Sequence, residues 1–175
     1  MTTISKITVL AVPAVVFTAL LVLGVFIGGT AVAQQMSGMQ QAPGVAVPGT
    51  AVVSGKVTMA DVDNALSAGP VFLEFESKDC SYCKQQRPVS EALARNYPGK
   101  VTFFFADASA SSDLARAFQV YSVPQIDVIA KKTDGTYLYV GKDGATSNSI
   151  GDSKFLGPTS GDDLSKALDK ALALR

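Results

Sequence analysis

Apolar positions fall into two regimes along the chain. From Ile7 to Ala33 the apolar run is interrupted only by glycines, three threonines and Pro13, which makes 27 residues without a charge. At about 1.5 Å per residue such a helix would cross a ~30 Å hydrocarbon layer. After Lys56 the apolar residues instead come in short runs separated by cap and turn residues, the pattern of packed strands and helices. Between the two regimes, Gln34 to Gly55 is uncharged and rich in Gln, Gly, Ala, Val and Pro, with no sustained period, and reads as a tether. The division expected is an N-terminal hydrophobic helix over 1–33, serving as membrane anchor or signal peptide, a flexible linker over 34–55 and a folded domain over 56–175.

Within the folded domain, Thr58-Met59-Ala60-Asp61 matches a capping box, and Val62 and Leu66 give a short helix that Gly69-Pro70 stops. Val71 to Phe75 is an apolar run with one carboxylate, Glu74, and reads as a buried strand. Helical spacing follows from Cys80 to Asn96 and closes at Pro98-Gly99. Val101 to Ala106 is a second buried strand, Ser111 or Ser112 can cap a helix through Phe118, and the stretch after Pro124 makes a third strand. Thr133-Asp134-Gly135-Thr136 predicts a hairpin turn that pairs this strand antiparallel with Tyr137 to Val140. Gly141 to Ser153 reads as a loop, after which Ser160 and Asp163 can cap a last helix with Leu164, Leu168 and Leu172 on one stripe. The order predicted is αβαβαββ, then a loop and a helix: an α/β fold with a mixed sheet covered by helices on both faces.

Charge placement sharpens the picture. The 175 residues carry 15 basic and 15 acidic side chains, for zero formal net charge, and Lys6 is the only charged side chain before Lys56. No basic footprint or like-charge run suggests nucleic acid as a partner. Lys6 ahead of the apolar run predicts an amino terminus left in the cytoplasm and membrane contact through residues 7–29. Ala31-Val32-Ala33 before Gln34 fits a signal-peptidase site, whereas the run exceeds the usual length of a signal-peptide core. Both readings place the folded domain outside the cytoplasm: at the cell membrane, on its extracytoplasmic or periplasmic side, if the run is kept, and secreted or periplasmic if it is cleaved.

Candidate chemistry is narrowed by what is missing. With no histidine in the chain, imidazole metal ligation and histidine-based nucleophile activation are excluded. The only two cysteines form Cys80-Ser81-Tyr82-Cys83, a spacing that random placement would seldom produce and that supports dithiol chemistry. At the first turn of a helix, Cys80 would face unpaired N–H groups and the positive end of the helix dipole, which favour thiolate. Cys80 is thus expected to be the nucleophile and Cys83, three residues on and more buried, the resolving thiol. An inert thiol pair, a structural disulfide and half of a zinc site completed by carboxylates or a second chain are the alternatives. Neither a metal nor an organic cofactor is required.

The residues VFLEFESKDCSYCKQQRP, with VPQ about forty positions on, make the segment Val71 to Leu174 resemble a thioredoxin-fold domain. In combination CxxCKxxxxP and a downstream Val-Pro are far more specific than CxxC alone. Membrane-tethered thioredoxin-like oxidoreductases of the bacterial periplasm are the relatives this suggests. The resemblance implies a protein thiol-disulfide oxidoreductase whose partners are protein thiols or disulfides and a membrane or periplasmic redox partner. It implies that Glu74 is the buried acid that takes and returns the Cys83 proton, a role that burial suits by raising a carboxyl pKa. Pro88 would kink the motif helix and Pro124 would be the cis-proline beside the thiols, with the Val123 backbone bonding extended substrate. Ser81 and Tyr82 would line the docking surface. The CxxCK pattern leans toward a reductant.

Departures from the family pattern carry their own expectations. Phe103 is read as occupying a strand position where thioredoxins commonly have a lysine near the buried acid, and the usual tryptophans near the motif are absent. Asp79 precedes Cys80 and opposes thiolate formation. Glu76 reads as mostly solvated at the strand end. The segment 141–159 is longer than the family minimum, and either Val140-Gly141 or Leu156-Gly157 matches the family's late strand-to-glycine step.

Overall fold

The computed structural model describes residues 52–175. The expected N-terminal hydrophobic helix and most of the expected linker lie outside the described residues. Seven strands, β1 (Val52–Gly55), β2 (Val71–Glu76), β3 (Thr102–Asp107), β4 (Gln125–Thr133), β5 (Thr136–Val140), β6 (Thr146–Ser147) and β7 (Phe155–Leu156), form one mixed sheet. Its order is β1-β3-β2-β4-β5-β6, with β7 paired to β4. Strands β1, β3 and β2 run parallel, while β4 is antiparallel to β2, β5 and β7.

Four helices cover the sheet: α1 (Met59–Ala68), α2 (Ser81–Asn96), α3 (Ser112–Ala117) and α4 (Gly161–Ala173). Alternation along the strands sends Phe72, Phe103, Phe105, Ile126 and Val128 to one face, against Leu93 and Ala94 of α2 and Leu164 and Leu168 of α4. The other face carries Leu73, Phe75, Phe104 and Ile129 against Val62 of α1 and Leu114 of α3. Phe103, Phe104 and Phe105 are thus core residues that serve both layers. The caps match the sequence: the Thr58 and Asp61 box opens α1, and the Ser160 hydroxyl accepts from Asp163 N–H at the start of α4. At the β4–β5 hairpin both turn residues are left-handed, Asp134 at φ 49 and Gly135 at φ 79, which is what the Asp-Gly pair supplies.

Two expectations need correction. Residues 52–55 were expected to end the linker, but Val52–Gly55 is a strand in register with Phe103–Ala106. It is short and lies at the sheet edge, so one parallel neighbour satisfies it and no long alternating run is needed. Within the expected loop 141–153, Thr146 and Ser147 pair with Val140 and Tyr139, and two short 3-10 turns occupy 142–144 and 150–152. Ser111 also does something other than cap α3. Its side chain makes no cap bond, and its hydroxyl accepts from Val57 N–H at 2.9 Å, tying the link between β1 and α1 to the start of α3.

Replacing Ser111 with alanine leaves the buried Val57 N–H unpaired and is expected to cost about 1–3 kcal/mol, read as a lower urea midpoint with unchanged slope. An unchanged midpoint would remove this hydroxyl from the account of how β1 is held.

Candidate active site

Strand β2 leads into the thiol motif and β4 emerges from the proline loop, and the two run antiparallel, so the motif and the loop meet at one end of the sheet. Cys80 is the N-cap of α2. Cys80 and Cys83 are joined by a disulfide, with their Cα atoms 5.2 Å apart. The Cys83 N–H donates to Cys80 Sγ at 3.0 Å. After reduction the same N–H, at the positive end of α2, favours negative charge on that sulfur. Cys83 is 3 % exposed, whereas Cys80 lies nearer the surface, so an incoming sulfur has access to Cys80 first.

Val123-Pro124 is cis. The Val123 carbonyl oxygen lies 3.4 Å from Cys80 Sγ, a contact in the disulfide and an acceptor for the thiol once reduced. Ser81 and Tyr82 are exposed on the first turn of α2, Tyr82 at 59 %. Two further exposed apolar side chains belong to the proline loop and the strand paired beside it. Tyr121, 86 % exposed, sits three residues before Pro124, and the half-exposed Leu156 sits opposite Gln125 in the β4–β7 ladder. Gly157 N–H donates to the Pro124 carbonyl at 2.9 Å, and Gly157 is left-handed at φ 75. Leu156-Gly157, and not Val140-Gly141, therefore adjoins the proline loop. The sequence gives no sign that Tyr121 and Leu156 are surface side chains, because nothing local distinguishes them from core residues.

Glu74 is fully buried on the face that α2 covers, paired along the sheet with Phe105 and Ile126. Neither of its carboxylate oxygens has a hydrogen-bond partner. Burial pushes its pKa up to about 7; Ser90 and Arg87 pull it down, and Glu76 and Glu91 push it further up. Cys83, Arg87 and Ser90 recur at i, i+4 and i+7, so they share one stripe of α2 above this acid. The Ser90 hydroxyl accepts from Gln86 Nε2 at 3.2 Å, which leaves its own hydrogen to offer.

In the register Phe103 shares the Glu74 face without standing directly opposite it. The β3 neighbour of Glu74 is Phe105, while Phe103 lies opposite Phe72. The nearby cation comes from a helix instead: the Arg87 guanidinium lies 4.0 Å over the Phe105 ring and forms an ion pair with Glu76. Glu76 is accordingly paired and largely buried, not mostly solvated as its place at the strand end suggested. That pair, with Cys83, Lys84 and Lys78, lines a cavity of about 470 Å³ beside the second sulfur. Pro88 lies inside α2 as expected. A second acid, Asp127, is buried on the opposite face of the sheet, and burial raises its pKa to about 7 as well.

Comparison with known proteins gives consistent results. The sequence profile of the thioredoxin family matches residues 52–150. Thioredoxin of Staphylococcus aureus is 34% identical over 73 residues, which span 42% of this chain and 70% of that protein. Among solved structures, a single-substitution variant of thioredoxin from Halobacterium salinarum superposes with a TM-score of 0.53 at 19% identity, covering 74% of this chain and 96% of the other. Chloroplastic thioredoxin z gives 0.51 at 16%, covering 69% and 95%. At such identities these two structures establish the α/β fold.

Both buried acids make the same thermodynamic prediction. Each holds a proton in the folded state, between its ordinary value (4.5 for Glu74, 3.8 for Asp127) and about 7, that the unfolded chain has already released. The folded state binds more protons there, so stability falls as pH rises through this window. Denaturant unfolding is expected to show a loss of a few kcal/mol from about pH 5 to about pH 8, and Glu74→Gln should reduce it to the part that Asp127 contributes. Stability that climbs over this range would contradict the assignment.

Proposed function

The chain belongs to the thioredoxin family and is a thiol-disulfide oxidoreductase with a Cys80–Cys83 disulfide, and from that premise we propose that it reduces protein disulfides on the extracytoplasmic side of a membrane. The observation that carries the mechanism is the Cys83 N–H pointing at Cys80 Sγ at the start of α2, with a buried acid beneath the same stripe of the helix.

In the reduced chain the Cys80 thiolate attacks one sulfur of a substrate disulfide. A mixed disulfide forms and the other substrate sulfur leaves as thiolate. Glu74, ionised at that stage, takes the Cys83 proton. The Cys83 thiolate then attacks Cys80 Sγ, restores the Cys80–Cys83 disulfide and expels the second substrate sulfur, which takes up a proton. Two electrons pass from the dithiol to the substrate, and an external dithiol, here a membrane or periplasmic redox partner, must return them. A carboxyl with a pKa near 7 suits a group that must gain and lose a proton in each cycle.

Val123-Pro124 seats the substrate backbone, and Tyr82, Tyr121 and Leu156 give the surroundings of Cys80 an apolar surface suited to unfolded or extended protein segments. Extracytoplasmic placement rests on the uncharged run from Ile7 to Ala33 behind Lys6. The reductant direction rests on the CxxCK pattern.

Insulin reduction driven by dithiothreitol should be abolished in Cys80→Ala, whereas Cys83→Ala should accumulate mixed disulfides visible on non-reducing gels. Ordinary turnover by both variants would refute the mechanism. Capturing partners with Cys83→Ser in intact cells tests direction and location together. Trapped extracytoplasmic substrates that accumulate oxidised when the protein is missing are expected, and recovery of the full chain in the soluble cytosolic fraction would overturn the placement.

A further inference from the structure

The strand that begins after the cis-proline carries a polar anchor that the mechanism above does not use. Gln125 and Asp127 lie two residues apart on β4, so their side chains share the face opposite Ile126, among Leu73, Phe75 and Phe118. Both are essentially inaccessible, Gln125 at 0 % and Asp127 at 1 %. The Gln125 amide uses both of its hydrogens: Nε2 donates to the Phe118 carbonyl at 2.9 Å and to Asp127 Oδ2 at 3.0 Å.

Phe118 ends α3 and opens the loop that runs to Pro124, so its carbonyl is one of those that a helix end leaves without a partner. One side chain therefore closes the loop. Its backbone continues from Pro124, and its amide holds the carbonyl at the other end. A glutamine amide can present nitrogen or oxygen to a given neighbour, and the Phe118 carbonyl and the Asp127 carboxylate both accept only from nitrogen, so Asp127 reinforces the orientation that keeps the donor end toward Phe118. The next carbonyl, of the left-handed Gln119 (φ 49), accepts from Lys154 Nζ at 3.0 Å, so the loop is pinned twice. At its far end the Val123 carbonyl faces Cys80 Sγ.

We propose that Asp127 is a positioning residue: through Gln125 it holds the Phe118–Pro124 loop in the shape that presents Val123 and Pro124 beside Cys80, and thereby sets affinity for protein substrates without entering the sulfur chemistry. This deepens the reading above and rests on Val123-Pro124 being the substrate seat. An ionised Asp127 accepts from Gln125 as a charge-assisted bond, and the neutral acid accepts more weakly. Burial places that change near pH 7, with Gln125 and Lys154 pulling the pKa down. Tyr139 of β5 is the other ionisable group facing Asp127, and Leu73, its partner on β2, brings no charge. Affinity for substrate should therefore weaken as pH falls through about 7.

The test uses the full chain in detergent, insulin as substrate and dithiothreitol as reductant, with KM and kcat measured from about pH 6 to about pH 8. Reduction of the Cys80–Cys83 disulfide by dithiothreitol alone, a small reagent that does not need the loop, is followed in parallel. Asp127→Leu should raise KM for insulin about tenfold, the scale of one lost charge-assisted bond. Its kcat and its direct reaction with dithiothreitol should stay within about twofold of wild type. Asp127→Asn should show, at every pH, the KM that the wild type shows only at the acidic end. Wild-type KM values in both variants, or kcat and the dithiothreitol reaction falling in step with KM, would overturn the proposal. If the leucine variant fails to fold, the asparagine variant decides, because a purely structural role leaves the pH dependence of KM in place. A wild-type chain that does not turn insulin over sinks the parent reading together with this one; turnover with unmoved KM values sinks this one alone.

Discussion

Phe75 of β2 lies opposite Gln125 of β4 in an antiparallel ladder, so the strand that leads to the disulfide ends where the strand after the cis-proline begins. Everything chemical about the molecule follows from that pairing. A parallel arrangement would place the thiols and the proline loop at opposite ends of the sheet. The antiparallel one puts the Val123 carbonyl within contact distance of Cys80 Sγ and sets Leu156 and Gly157 on the same rim, through β7 and the bond from Gly157 N–H to the Pro124 carbonyl. The parallel β1–β3–β2 half supplies the base beneath: its core-facing phenylalanines hold α2 and α4 on one side and α1 and α3 on the other.

The same sheet holds two carboxyls that a packed core disfavours. Glu74 is buried with neither oxygen paired, and Asp127 has one oxygen unpaired. Burying such groups is costly unless they are neutral or bonded, and a carboxyl so placed answers by moving its titration toward neutrality. They stand on opposite faces, Glu74 under α2 and Asp127 with Gln125 and Phe118, so proton uptake at one need not coincide with uptake at the other. The Glu74 environment is also electrically mixed. Arg87 is held by Glu76 and stacked on Phe105, which brings a cation to the site while tying up much of its charge.

The Cys80–Cys83 pairing, the burial of Glu74, the place of Pro88 inside α2 and the cis Val123-Pro124 bond were legible in the chain, because each is marked by residue type at fixed spacing and by the family resemblance built on it. Most elements were legible for similar local reasons: capping residues at Thr58 and Ser160, the Asp134-Gly135 turn and dense apolar runs in β2 and β3. Other features left no local trace. Strand β1 is four residues long with an ordinary composition, and only pairing with β3 makes it a strand. Glu76 and Arg87 stand eleven positions apart and meet because α2 folds back over β2. Which of three consecutive phenylalanines stands directly opposite Glu74 is set by strand register, which puts Phe105 there and Phe103 two residues away on the same face.

Residue order alone thus determined which groups could do chemistry, two thiols with carboxylates, lysines and tyrosines but no histidine, and where the four helices and the longer strands β2 to β5 would form, since caps, turns and apolar period act over a few neighbours. The tertiary structure decided that Glu74 is buried on the face that α2 covers, and that the Val123 carbonyl meets Cys80 Sγ. It also decided that Asp127 reaches the proline loop through Gln125. Those relations are set by strand register and helix docking, where contacts distant in sequence compete and the outcome depends on the packing of the whole core rather than on any local run of residues.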